Sequence, residues 1–553
     1  MGAHEPLLRR DGRIPFRLRI GVAGHRTLEP EPWLVDVVRT QTRRIRDLLP
    51  RSASTAVRLT VVSQLAEGAD RLVVHEVLED AQDRGEEARL EAVLPMPRDE
   101  YSRQQRFSLR SDDEFDQLLE RAVTVDEPAD SRPADNLGRA YEDAGDRLIG
   151  RCDVLVVLWN GAETGGRGGT AETLLRAAAW GKPCIWISTT RPTVEDNLTP
   201  GSSEAFFHRV AELAHVPQER APRPAALDGS TLESVQEAFR ALDKYNRAGL
   251  PRGRFDQRLD RVLGDDSSAS SEWVAPFFLR ASLLAESYQR KFRGSAWFLA
   301  LLATGAAAML GLAVSSSQHT WAWLELGLLA MLVGAWYYLM KYLDFHSRWL
   351  SYRVLAERLR SARYLAPTGA RVDPTAGLRP VYAQRAGWLD RAFEEVWDGT
   401  PAPPRSEAEL PRLRLWLAEE WIGGQIQYHA RAVRQHKRWA LILIATVIFL
   451  FVATMVLAFL HALDIGTDKV TFFAITLPAA AASLGVMLTL GQHRALAEGS
   501  ALMRSNLAVA QRDILDADAS TLARTSAEAA QVIAAESGDW FGALWLTNME
   551  HPP

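Results

Sequence analysis

Two regimes of hydrophobic patterning divide the chain. Up to about residue 190, short apolar runs alternate with amphipathic stretches. The runs at 16–23 (FRLRIGVA), 57–62, 90–94, 154–158 and 184–187 have strand length, several are rich in valine and isoleucine, and a shorter one starts at Val123. Between them, 32–49 places Trp33, Val35, Val38 and Ile45 on one helical face. Helices are also expected from Ala69, over 114–121, over 136–150 and over 170–179. Strand and helix alternate at βαβ spacing, and the strands are continuous apolar runs rather than half-exposed alternations. That combination predicts a parallel sheet covered on both faces, an α/β doubly wound, Rossmann-like domain over roughly 14–190.

From residue 273 the pattern changes. Stretches 296–314, 321–340, 439–460 and 470–490 are apolar, and each approaches the ~20 residues that cross a hydrocarbon core of about 30 Å. Short polar loops pair them into two hairpins, predicting an all-α membrane region of four transmembrane helices. Arg and Lys crowd the flanks before the first and third spans and after the second, whereas the hairpin loops carry only Lys469. The positive-inside rule then places the N-terminal domain, the middle segment and the C terminus in the cytoplasm. Trp321, Trp323, Tyr337, Tyr338 and Trp439 fall at the expected interfaces, and Glu325 near a span end reads as interfacial. Gly305, Ala306, Gly311, Ala479, Ala482 and Gly485 are small enough for close helix packing, and Pro478 is positioned to kink the fourth span.

The two halves of this region read as a repeat: a basic amphipathic helix, a two-span hairpin, then a polar helix. The resulting organisation is an α/β domain at 1–190, a helical connector at 191–272 and a first helix and hairpin at 273–364. A linker with its own helix (GWLDRAFEEVW) follows at 365–412, then a second helix and hairpin at 413–517 and C-terminal helices at 518–553.

Composition narrows this picture. The 553 residues carry a net charge of −5, which gives no case for nucleic-acid binding. Mean hydropathy near zero conceals the contrast between the two halves. The two cysteines, Cys152 and Cys184, border expected core strands and read as buried thiols in a reducing compartment. The histidines show no ligand spacing, so no metal site and no redox cofactor are expected. The first thirty residues lack a signal-peptide pattern.

Ligands of doubly wound sheets bind beyond the carboxyl ends of the strands. Three strand ends carry suitable chemistry. Gly24-His25-Arg26 follows the first, and His25 and Arg26 suit phosphate or base. Glu67-Gly68-Ala69-Asp70 follows the second, where Glu67 and Asp70 suit ribose hydroxyls, although Asp70 equally suits the first turn of a helix. Asn160 and the glycines Gly165, Gly166, Gly168 and Gly169 follow the 154–158 strand, and Thr170 opens a helix. Backbone amides and the helix dipole make such a loop an anion site, while a turn that merely reverses the chain fits the loop alone equally well. Arg98 and Tyr101, after the third strand, are further candidates for phosphate contact and base stacking.

The blocks GVAGHR, SQLAEGADRLV, LPMPRDEY and CDVLVVLWNG…GGRGGTAETLLRAA…GKPCIWI resemble the SLOG superfamily. That superfamily includes nucleotide phosphoribohydrolases and nucleotide-sensing modules of bacterial defence systems. The resemblance covers about a third of the chain and implies nucleotide binding. The hydrolases carry Pro-Gly-Gly-x-Gly-Thr-x-x-Glu. Here there is no leading proline, one glycine is added, and Glu172 stands one position early, about 100° around a helix. The phosphate cradle survives these departures better than the catalytic geometry, so binding is favoured over hydrolysis. If the chain is an enzyme, it is a nucleotide N-glycosidase with Glu172 as its acid/base group. The helix, two-span, helix plan resembles the SLATT family of membrane effectors, with RWLSYRVLAERLR and QIQYHARA as short matches.

Together the resemblances imply a multi-pass protein of the bacterial plasma membrane acting in anti-phage or conflict defence. Its partners would be a nucleotide or nucleotide-derived second messenger, the lipid bilayer and further copies of itself. A nucleotide-gated ion channel without a toxic role is the remaining expectation.

Overall fold

The computed structural model describes residues 11–28, 31–105, 109–128, 137–162, 166–215, 231–250, 252–263, 268–316, 318–370, 387–401, 407–463, 465, 468–491 and 493–546. The chain forms two compact units. One joins Met1–Gly249 to Arg385–Gly399, and the other comprises Leu250–Gln384 and Thr400–Pro553.

The first unit is built on a seven-stranded sheet. Its strands are β1 (Phe16–Gly24), β2 (Val57–Ser63), β3 (Ala88–Val93), β4 (Thr124–Asp126), β5 (Val154–Trp159), β6 (Cys184–Ser188) and β7 (Val194–Asp196). They run in the order β4-β3-β2-β1-β5-β6-β7. The first six are parallel, and β7 returns antiparallel on β6. This is the doubly wound plan that the apolar runs predict. The antiparallel edge was not legible, because three half-buried residues carry no periodicity. It is anchored by Asn197, whose side chain accepts from the Cys184 amide at 2.6 Å and donates to the Lys182 carbonyl at 2.8 Å.

Every residue of β5 is buried, as a central strand covered on both faces requires. The covering helices are α1 (Pro32–Asp47), α2 (Ala69–Asp83), α3 (Arg98–Gln105), α4 (Leu109–Arg121), α5 (Leu137–Arg151) and α6 (Thr170–Ala179). Cys152 and Cys184 are free and buried. Burial pushes both thiols up, Cys152 to about 11. A Cβ on Gly21 would stand 2.7 Å from that of Cys152, so β1 needs glycine there.

The unit extends beyond residue 190. Helices α7 (Ser203–Ala214) and α8 (Leu232–Arg247) belong to it. Asn246 of α8 bonds both the amide and the carbonyl of Ile14, at 3.1 and 2.8 Å. A helix from far along the chain, Gly387–Asp398 (α13 in chain order), also packs here, on β1 and α8. This is the linker helix GWLDRAFEEVW, and its Trp388 ring lies 5.6 Å from that of Tyr245.

The second unit is helical. It contains α9 (Arg252–Val262), α10 (Ala269–Ser316), α11 (His319–Tyr338), α12 (Phe345–Leu365), α14 (Leu410–Trp416), α15 (Gly424–Ala462), α16 (Asp468–Gly491), α17 (His493–Asp516) and α18 (Leu522–Leu546). Four of its helical stretches are long and apolar enough to cross a membrane, and they carry the four expected spans. The basic amphipathic helix and the first span are one continuous α10 of 48 residues. A π-helical turn, Leu339–Leu343, and a left-handed Asp344 (φ 42°) separate the second span from α12. A second π-helical stretch, Leu417–Gly423, precedes α15. Residues 540–546 are the last turns of α18.

Small residues let α10 and α16 approach closely. Ala306 and Ala481 are buried, and a Cβ on Gly311 would meet the Phe472 ring and carbonyl at 3.1 Å. Ser483 bonds the hydroxyl of Thr304 at 3.1 Å.

Candidate functional site

The strand order reverses direction between β1 and β5, which opens a crevice beyond their carboxyl ends. Three expected wall segments meet there. His25, just past β1, is the hub. Its amide donates to the Leu158 carbonyl of β5 at 3.2 Å, and its carbonyl accepts from the Ala69 amide that opens α2 at 3.0 Å. Its ring Nε2 lies 3.1 Å from the Asn160 amide. One residue, through its side chain and its two backbone polar groups, thus ties the ends of β1, β5 and the β2–α2 loop together.

The glycines explain how the backbones come so close. A Cβ on Gly24 would lie 2.3 Å from that of Ala69. Gly68 has φ +80°, and a Cβ there would lie 2.4 Å from the Arg26 carbonyl. Leu65, fully buried in the same β2–α2 loop, holds a left-handed φ of 57°. Its amide donates to Ser63 Oγ at 2.9 Å and its carbonyl accepts from Arg71 Nε at 3.2 Å. A strained non-glycine residue maintained by such bonds marks a loop whose shape is specified.

The glycine loop forms the facing wall. Gly168 has φ +74°, and a Cβ there would lie 2.6 Å from the Glu142 amide and 2.8 Å from Cβ of Tyr141 on α5. Gly169 takes the capping position of α6 and supplies no side chain, so the first-turn amides of α6 have no side-chain cap. Arg26 is exposed, and its guanidinium lies 4.7 Å above the Tyr141 ring. Tyr141 therefore links the β1 end to the glycine loop. Gly166 and Thr170 belong to the described part of this wall, whereas Gly165 lies outside the described residues.

Two carboxylates differ in setting. Asp70 is buried at the start of α2, accepting from Ser63 Oγ at 3.0 Å and the Gln64 amide at 3.2 Å. Burial pushes its carboxyl up to about 7, against the pull of those bonds and of Arg26. Glu172 is buried on α6 and accepts from the Gly168 amide at 2.8 Å, with Arg176 at 3.7 Å. It closes the glycine loop on itself. Glu67 is half-buried at the crevice.

The remaining candidates stand apart in role. Tyr101 is fully buried, its ring 5.7 Å from Phe115 and 6.4 Å from Tyr141, and burial raises its phenol well above the ordinary range. It packs beneath the crevice rather than offering a free face. Arg98 is exposed and paired with Asp116 at 2.7 Å. Among the described residues no group of three or more His, Cys, Asp or Glu side chains suits a metal ion.

Sequence reasoning missed Tyr141 and Glu142. Both sit within an ordinary amphipathic helix, where nothing in the periodicity distinguishes them from solvated positions. Glu142 pairs with Arg167 and Arg176 and so braces the glycine loop.

A cation (Arg26), the His25 imidazole and the start of α6, which has no side-chain cap, thus lie on the segments that meet at this end of the sheet, while Asp70 and Glu172 hold the loops. That set suits a phosphorylated, hydroxyl-bearing ligand. No protein family, curated protein or solved structure matches this chain.

Proposed function

We propose that the chain is a membrane effector whose α/β unit senses a nucleotide-derived ligand and whose four spans act on the membrane, opening a pore or disrupting the bilayer. The observation that supports this most is the convergence on His25 of the β1, β2 and β5 ends beside the uncapped start of α6. The SLOG and SLATT resemblances favour a cytoplasmic sensor in bacterial defence, with several copies assembling around the ligand-bound state. The ligand must bind the active state more tightly than the resting one.

The test is thermal unfolding of the full chain in detergent against a panel of mononucleotides, NAD and short oligonucleotides. One of these should raise the melting temperature, and Arg26→Gln, which removes an exposed cation and no packed atom, should abolish most of the shift while leaving the unliganded fold intact. A panel without effect, or a full shift retained in Arg26→Gln, overturns the reading. Dye release from liposomes on adding that ligand tests the membrane output.

Hydrolysis is the second reading. Asp70, with a carboxyl near neutrality, has the acidity that proton transfer at neutral pH favours. Release of free base from a nucleotide would establish it, and intact nucleotide after prolonged incubation would exclude it.

A further inference from the structure

The helical unit holds a second cavity, of about 240 Å³, away from its spans. Its walls come from both halves of the repeat. Phe278 of α10 and Arg353, Arg360 and Arg363 of α12 belong to the first half. Trp421 and Tyr428, from the second π-helical stretch and α15, belong to the second.

Among the described residues, guanidinium groups predominate here. Arg353 and Arg360 both pair with Glu357, each at 2.8 Å. Arg363 donates to two uncharged oxygens, Ser271 Oγ at 3.1 Å and the Val262 carbonyl at 2.7 Å. Burial lowers its guanidinium from the ordinary range, with Glu420 at the cavity wall pulling the other way. Among the described residues, three guanidinium groups thus stand with two carboxylates, Glu357 and Glu420. Aromatic faces accompany them. Arg360 lies 5.4 Å over Phe278, Arg363 lies 5.2 Å over Tyr364, and Tyr364 stacks on Trp421 at 5.3 Å and 8°. Arg363, which donates to those uncharged oxygens, keeps a charge beside aromatic faces, and a guanidinium so placed suits a phosphate.

Helix geometry identifies the source of the anion. Tyr428 precedes the third span, which starts near Trp439, by about 16 Å of continuous helix. A lipid phosphate at the membrane surface does not reach so far. The volume falls below the ~300–1,000 Å³ of sites for larger ligands, which favours one small molecule over an oligonucleotide.

We propose that this cavity binds a small soluble phosphate compound, whose occupancy clamps the stalk of the first hairpin to that of the second. The site is separate from the α/β crevice and does not depend on what binds there.

The experiment uses the full chain carrying Arg26→Gln, in nanodiscs of zwitterionic lipid, titrated with pyrophosphate by calorimetry. One saturable site per chain is expected. Arg360→Gln with Arg363→Gln should weaken binding by about tenfold or more. Glu420→Gln, which removes an exposed negative charge from the wall, should tighten it by about threefold. A gain of affinity is a result that misfolding does not produce. Absence of saturable binding, an affinity indifferent to the double arginine change, or one unchanged in Glu420→Gln overturns the proposal. So does stabilisation by phosphatidylglycerol nanodiscs alone that requires Arg360 and Arg363, because the anion is then a lipid headgroup.

Discussion

The Arg17 guanidinium meets the Glu395 carboxylate at 2.6 Å with both side chains out of solvent, although 378 residues separate them in sequence. Arg17 also reaches Glu91 at 3.2 Å and Asp398 at 2.6 Å, and Glu395 accepts from Arg58 and lies 3.7 Å from Arg89. Arg391 holds Asp153 at 2.9 Å, and Asp153 accepts in turn from the Arg19 amide. Charges on both sides thus fasten α13 to β1 and its neighbours. In the chain, α13 stands between the second and third spans. In the effector reading, a ligand that shifts β1 acts through this helix on the segments leading to both hairpins.

Removing one member of that network should be costly. Glu395 is the shared acceptor of Arg17 and Arg58, so Glu395→Gln removes the charge common to both while Arg17 keeps Glu91 and Asp398 and Arg58 keeps Glu87, a loss of about 1–3 kcal/mol. Chemical denaturation of the α/β unit should show it, with hydrogen exchange rising in α13 first. Burial pushes the Glu395 and Asp153 carboxyls up, but the surrounding arginines outweigh it and hold both below the ordinary range. Such groups stabilise above their unfolded-state pKa and lose that contribution as pH falls through the folded one. Asp398, which burial raises against the pull of Arg17, works the other way. Docking of α13 should therefore persist at pH 5 and weaken in more acidic solution. An α13 that exchanges equally fast at pH 7 and pH 3.5 would contradict this.

The sheet, its covering helices and the four spans were legible because burial on one or both faces leaves a periodic trace. Gly24 stands where a close approach demands glycine, and Gly68 and Gly168 where a positive φ does as well. The place of α13 was not legible. An amphipathic helix shows that it has a partner face, and nothing in GWLDRAFEEVW says that the partner is β1. The pairing rests on Arg17, Arg19 and Arg58, which read from the sequence as the solvated side of a strand. Tyr141 escaped for the same reason, since its role comes from Arg26 and Gly168 arriving beside it.

Asp70 gives the crevice a pH dependence near neutrality. Its folded-state carboxyl, raised to about 7 by burial, binds its proton more tightly than in the unfolded chain. The contribution to stability is thus complete at low pH and is lost as pH rises through about 7. Asp70→Asn should melt above the parent at pH 8, and the difference should shrink towards pH 5. Ligand affinity should fall over the same interval in the parent, where a second negative charge develops near the anion, and stay flat in the variant. A constant difference in melting temperature across that range would refute the assignment.

Glu172 separates a structural from a catalytic role. Its Oε2 accepts from the Gly168 amide, a bond that an amide oxygen reproduces. Glu172→Gln should hold ligand affinity within about threefold, whereas Glu172→Ala frees the loop and costs about 1–3 kcal/mol of binding or stability. If the chain hydrolyses a nucleotide through Glu172, the glutamine variant instead binds normally and releases no base. Measuring affinity and base release on both variants distinguishes the outcomes.

The contact between α10 and α16 should govern how the two hairpins hold together. With no hydrophobic effect between apolar helices in lipid, association depends on close packing and on bonds such as that between Thr304 and Ser483. At Gly311 a single added carbon would press on the Phe472 ring and carbonyl at 3.1 Å and on Thr476 at 3.3 Å. Two of these three atoms sit on backbone or a short side chain and yield little. Gly311→Leu should therefore force the helices apart at about 1–3 kcal/mol. Cysteines placed at Thr304 and Ser483 report it, crosslinking readily in the parent and slowly with Gly311→Leu. Gly485 on the same α16 has open space where a Cβ would stand, nothing lying within 4 Å. Gly485→Leu should leave that crosslink unchanged. If it nevertheless shifts the protein to a smaller assembly on size exclusion, the face carrying Gly485 is where copies of the chain meet, and the small residues of α16 serve two different contacts.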